Sequence, residues 1–160
     1  MAGTSEVPAP RVIDSVAELR ELLGEELGPS APEVISQERI DQFAAVTGDD
    51  QWIHVDVERA RRSPAGGTIA HGYLVQSLIP RWSTQLYVFG FGRSRVNYGS
   101  NRVRFLAPVP AGSVLRATAR FLAVDERPGG VAVTTQFTIT TDGAARPACV
   151  AEVITFVASA

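Results

Sequence analysis

Between positions 71 and 87 the chain is apolar on most sides of a helix: Leu74, Val75, Leu78, Ile79, Trp82 and Leu86 leave no broad polar face. A helix of that kind cannot lie on a surface, so the rest of the chain has to enclose it. Pro80 should kink it or divide it. Beyond Gly90 the hydrophobic period changes from helical to alternating. Val103 and Phe105 alternate with Arg102 and Arg104, and Leu115, Ala117, Ala119, Phe121 and Ala123 share one face against Arg116, Thr118 and Arg120. Two further β-prone runs cover 131–141 and 148–157, with turn residues at 110–112, 128–130 and 142–143. The small side chains at Ala117, Ala119 and Ala123 leave room for a close-packed helix. The pattern therefore predicts an α+β domain in which an antiparallel meander wraps the helix that begins near His71.

The segment before that helix carries shorter helical signals. Ser15 with Glu18 forms a candidate capping box at the start of a helix from Ile13, which Gly24 closes. After the break at 28–32, a short extended piece is expected at 33–35. Ser36 then caps a helix whose Ile40, Phe43, Ala44 and Thr47 share a face. Gly48 sits where a left-handed terminating residue is favoured, so Asp49 should leave the helix on a sharp turn. Asp56 is a candidate cap for a helical turn through Arg62, with Glu58 and Arg62 at a favourable spacing.

Composition narrows the function classes. The 160 residues are 45% hydrophobic and 20% charged, with a net charge of −2. That suits one domain with a single core, here 13–160, preceded by a loose tail at 1–12. Near-balanced charge argues against electrostatic binding of nucleic acid. No apolar run reaches a membrane span, and the first ten residues lack the pattern of a signal peptide. Cys149 is the sole cysteine, which excludes an intrachain disulfide and fits a reducing cytoplasm.

Candidate chemistry concentrates between Thr47 and Gly72, which hold both histidines. Asp49 and His54 can hold one water and move protons at neutral pH, because imidazole titrates near the working range. Alternatively Asp49 completes a turn and His54 packs under Trp52. The Gly72 amide opens the apolar helix and can stabilise an oxyanion, or the glycine serves close packing alone. His71 reads as a positioned structural histidine. Metal binding is disfavoured, since His54 and His71 lack a ligand spacing and Cys149 is distant. Arg93, Arg95, Arg102 and Arg104 form a basic, partly strand-borne group. They suit phosphates or form a solvated face.

The stretches FAAVTGDDQWIHVD (43–56), GGTIAHGYL (66–74) and NYGSNRVRFLAPVPAGS (97–113) together resemble the MaoC-like dehydratases and (R)-specific enoyl-CoA hydratases. The branch most similar includes bacterial 3-hydroxyacyl-thioester dehydratases and nodulation protein N-like members. The resemblance implies a hot-dog fold, with an antiparallel sheet around one helix, and a homodimer. It also implies Asp49 and His54 as the catalytic pair and the Gly72 N–H as oxyanion donor. Many members carry Asn-Pro where this chain has Gln51-Trp52; the catalytic pair is unaffected, Gln51 is expected among the substrate-binding residues, and the supporting polar contact usually made by the Asn does not carry over to it directly.

The implied activity is reversible hydration of trans-2-enoyl thioesters to (R)-3-hydroxyacyl thioesters, with no metal or redox cofactor. Coenzyme A or an acyl carrier protein enters only as part of the substrate. Trp52, Leu74 and Leu78 are expected to line the acyl pocket, Trp52 alternatively acting as a structural plug. The four arginines are expected to include a phosphate contact. The rival readings are thioester hydrolysis on the same fold and a non-catalytic acyl-thioester-binding subunit.

Overall fold

The computed structural model describes residues 9–160. The expected buried helix is divided, as Pro80 requires: α5 (Gly72–Ser77) and α6 (Ile79–Leu86) meet at Leu78, with the proline in the first turn of α6. It is covered on one side and not enclosed, since Tyr73, Ser77, Pro80, Arg81 and Thr84 form an exposed face. Around them runs a sheet of β2 (Glu26–Leu27), β6 (Ser113–Arg127), β7 (Gly130–Thr141), β8 (Pro147–Ala158) and β5 (Ser94–Phe105), in that order, with β3 (Glu33–Ile35) also pairing β6. All of these pairings are antiparallel.

The sheet makes room for the helix through side-chain size. Phe137 on β7 lies between Ala119 on β6 and Ala151 on β8, and Ile139 lies between Ala117 and Cys149. Each large residue is thus flanked by small ones, and Leu74, Val75, Ile79, Trp82 and Leu86 pack into the same buried cluster. This is the hot-dog arrangement that the resemblance implies. The inward row of β6 ends one residue early. A register shift between Phe121 and Ala123 leaves Leu122 exposed and moves Ala123 off the buried row.

Several local expectations are met at their caps. Ser15 accepts from the Glu18 amide at 3.1 Å, while the Glu18 carboxylate accepts from the Asp14 amide at 2.9 Å, starting α1 (Val16–Glu21). Ser36 accepts from Arg39 at the start of α2 (Gln37–Thr47), and Asp56 from Arg59 at the start of α4 (Val57–Arg61).

Other expectations are corrected. Residues 11–13 form β1 (Arg11–Ile13), not a helix start. It runs parallel to β4 (Tyr87–Phe89), so Arg11 and Val12 are paired rather than loose. Residues 1–8 of the expected tail lie outside the described residues. Glu58 pairs with Arg61 at 3.0 Å instead of Arg62, one residue closer on the same exposed turn. A short helix, α3 (Trp52–Val55), occupies the centre of the expected loop. Among the described residues, no helix is long and apolar enough to cross a membrane.

A candidate acid–base site at the start of the enclosed helix

Asp49 is delivered by the end of α2. Gly48 takes φ +77°, and its amide closes the helix on the Ala44 carbonyl at 2.8 Å. An L-residue is strained at that φ, so glycine is what lets the chain turn there. Asp49 emerges accessible to solvent on a defined turn.

His54 is delivered by α3 and is buried, with 6% of its surface exposed. Its Nδ1 lies 2.7 Å from the Ile69 carbonyl oxygen. A carbonyl can only accept, so Nδ1 carries the proton and Nε2 of the neutral ring is left with a free lone pair. The His54 backbone is held as well. Gln37 donates from Nε2 to the His54 carbonyl at 2.8 Å and to the Asp41 carboxylate at 2.8 Å, while its Oε1 accepts from the Thr68 hydroxyl. Both donors and one lone pair of the Gln37 amide are therefore used, and they tie α2 to α3 and to the 66–70 segment.

His71 completes the cluster. One side-chain ligand atom from each of Asp49, His54 and His71 lies within 4.8 Å of the other two. Sequence spacing kept the two histidines apart, whereas the fold stacks them, ring centroids 3.8 Å apart and planes 25° from parallel.

Gly72 begins α5, where first-turn amides have no intrahelical acceptor, and His71 supplies no side-chain cap. A Cβ at Gly72 would sit 2.8 Å from the Phe105 ring, so glycine is what allows Phe105 to cover the helix start. Gly72 and His54 line the same cavity, of about 260 Å³, with Ile69, Val75, Phe105 and Ala148 among its other walls. A larger cavity of about 570 Å³ begins at Tyr73, immediately after Gly72. It follows α5 and α6 past Gln76 and Ser83 to Tyr87, with β5 and β8 opposite.

The remaining candidates are placed differently from expectation. Trp52 lies under the Arg59 guanidinium, 4.3 Å from its ring centroid, and lines neither cavity. Leu74 is buried in the core and Leu78 packs against it, again away from both linings. The apolar stripe that made them look like pocket residues is the stripe that faces the sheet. Gln51 precedes α3 at its N-cap position without a side-chain capping bond.

Of the arginines, Arg95 donates to the Phe89 and Phe91 carbonyls, and Arg104 to the Val103 carbonyl at 2.8 Å. Arg93 and Arg102 are exposed and form no ion pair among the described residues. Cys149 is no nucleophile candidate: burial pushes its thiol up to about 11. Gln37 and Ile69 were not legible as site residues, because their contributions are a side-chain amide and a backbone carbonyl without a chemical signature.

A sheet wrapped round a helix, with an acid–imidazole pair at that helix's start, defines a hot-dog protein built for acid–base chemistry. The family model described as a MaoC-like domain matches residues 18–142, and the chain belongs to that family. It is 47% identical over 145 residues to a Mycobacterium tuberculosis protein named 3-hydroxyacyl-thioester dehydratase Z, covering 90% of this chain and 96% of that one. Nodulation protein N of Rhizobium leguminosarum is 39% identical over 150 residues, covering 89% and 91%. These are relatives of the branch that the sequence resembles. Among solved structures, a monoamine oxidase regulatory protein from Archaeoglobus fulgius superposes with a TM-score of 0.76 at 23% identity, covering 96% of this chain and 99% of that one. That similarity establishes the fold.

Proposed function

We propose that the protein is a hydro-lyase that reversibly hydrates trans-2-enoyl thioesters to (R)-3-hydroxyacyl thioesters. The observation that carries this reading is that His54 and Gly72 line one small cavity while a carboxylate oxygen of Asp49 lies within 4.8 Å of a His54 ring nitrogen. The relative named as a 3-hydroxyacyl-thioester dehydratase, at 47% identity over nearly the whole chain, supports the reaction class.

In the hydration direction the thioester carbonyl accepts from the Gly72 N–H, which stabilises the charge that builds on its oxygen. A water held between Asp49 and His54 loses one proton to the pair as its oxygen bonds to C3. The pair returns one proton to C2, so the sum is addition of water across the double bond. Base and acid belong to Asp49 and His54 as a coupled unit. The free lone pair on His54 Nε2 supplies an acceptor for the water's proton. The steps need no metal or redox cofactor, and coenzyme A or a carrier-borne pantetheine is part of the substrate.

The acyl chain then extends from the reacting carbons into the 570 Å³ cavity along α5 and α6, a volume within the usual range for small-ligand sites. Arg93 and Arg102 are the arginines free to meet coenzyme A phosphates, since Arg95 and Arg104 are engaged with backbone carbonyls. A homodimer in the cytoplasm is the setting of this reading, supported by the open edge of β5 and the single buried thiol.

The test follows the loss of conjugated enoyl absorbance with a thiol assay alongside. Hydration bleaches the enoyl band without releasing thiol; hydrolysis releases thiol; a binding subunit does neither. Asp49→Asn and His54→Gln should each lower kcat by at least about 10²-fold, with the double variant scarcely worse than the poorer single one. Near-normal turnover in either folded single variant would overturn the mechanism.

A further inference from the structure

His71 does more than fill the space behind the pair. It is 2% exposed, and its two ring nitrogens are treated unequally. Nε2 lies 2.8 Å from the backbone carbonyl oxygen of Asp49, so that nitrogen carries the proton and donates it. Nδ1 is buried with no hydrogen-bond partner. One ring face lies on His54 at 3.8 Å, and Phe43 packs against the same imidazole at 5.1 Å.

A purely packing role at this position would be filled better by a hydrocarbon ring, since burying an unpartnered Nδ1 is unfavourable. What a hydrocarbon ring cannot do is hold the Asp49 carbonyl. What a non-aromatic donor cannot do is present a flat face to His54. The imidazole does both at once, and those two contacts reach the two residues whose separation decides whether they share a water. The remaining tethers act on one partner each: Ile69 on the His54 ring, Gln37 on the His54 backbone, and the Thr47 hydroxyl on the Asp49 amide at 3.4 Å. His71 alone among these touches both.

We propose that His71 is a positioning residue that sets the Asp49–His54 geometry, holding one by its backbone carbonyl and the other by its ring face. The proposal rests on the hydratase reading for its effect on rate but not for its effect on geometry. Two substitutions separate the contacts. His71→Gln keeps a donor of similar reach and loses the ring; His71→Phe keeps the ring and loses the donor. Displacement of a reacting group by about 1 Å can cost about 10²-fold. Each variant should therefore lose at least about 10-fold in kcat per folded molecule, with KM for the enoyl thioester changed less than about 2-fold.

The geometric arm uses imidazole ¹⁵N spectra, simple to assign because the chain has 2 histidines. In the wild-type protein at a pH where the rings are neutral, His71 should carry its proton on Nε2 and His54 on Nδ1. In His71→Gln the His54 signals should lose that single-tautomer pattern, and in His71→Phe they should keep it. A merely structural His71 would lower thermal stability while the folded fraction kept full kcat and an unchanged His54 spectrum. Either that result, or a His71 proton on Nδ1 in the wild type, overturns the proposal. Should neither variant fold, the wild-type tautomer still decides. A wild-type protein without hydratase activity would defeat the functional reading, while the His54 spectra would continue to test the positioning.

Discussion

At Gly72 a single added methyl group would meet the Phe105 ring at 2.8–2.9 Å. Phe105 is 47% exposed, so its ring can swing outward, and Gly72→Ala should fold with a destabilisation of roughly 1 kcal/mol. The displaced ring also lines the cavity shared with His54, and the amide at Gly72 shifts with it. Loss of an oxyanion donor costs about 10²–10³-fold, so partial misplacement should lower kcat by about 10-fold or more. Adding Phe105→Ala should recover thermal stability relative to Gly72→Ala alone, measured as a double-variant cycle. Additive losses would mean that the two residues do not compete for the same space. Trp52 makes the opposite point at this scale. An aromatic in a polar loop resembles a pocket wall, yet its face is taken up by Arg59.

Among elements, Glu33 on β3 is the tie between sheet and helices. Its carboxylate meets Arg39 of α2 at 2.6 Å and Arg81 of α6 at 2.7 Å, and little of its side chain is exposed. Burial by itself raises its pKa; the hydrogen bonds and charges of Arg81 and Arg39 together outweigh that and hold it below the ordinary value. The contribution of a depressed carboxylate is complete above the unfolded value, about 4.3, and is lost as pH falls through the folded one. Glu33→Gln should cost about 1–3 kcal/mol near neutrality. The gap in Tm between wild type and variant should narrow below about pH 4. A gap independent of pH would remove the ionic contribution. The α3 helix belongs to this scale too, since four residues with no capping side chain give no local signal of their own.

For the whole molecule, β5 is the long strand with an open edge. It ends the sheet opposite β2, pairs among the described residues with β8 on one side, and exposes Val96 and Tyr98 along its 12 residues. Long bare edges carrying apolar side chains invite further strand pairing. The proposed homodimer pairs through this edge, so Val96→Lys with Tyr98→Lys should convert a dimer to a folded monomer in sedimentation at micromolar concentration. A dimer that survives both lysines would direct the interface elsewhere.

What the sequence alone determined is local. The helical stretch after His71, its division at Pro80, the caps at Ser15, Ser36 and Asp56, the turn at Gly48 and the strand-rich second half each follow from periodicity or from groups a few residues apart. The pair at Asp49 and His54 was visible because both residues lie in one short stretch with titratable chemistry. The tertiary structure decided what depends on side-chain direction and distant backbone. It stacked His71 on His54, brought Gln37 and Ile69 to the His54 carbonyl and ring, paired β1 with β4, and turned Leu74 and Leu78 toward the sheet instead of a ligand. A backbone carbonyl has no residue identity, and an apolar stripe reads the same whether it faces a core or a cavity. Only the packed fold distinguishes those cases.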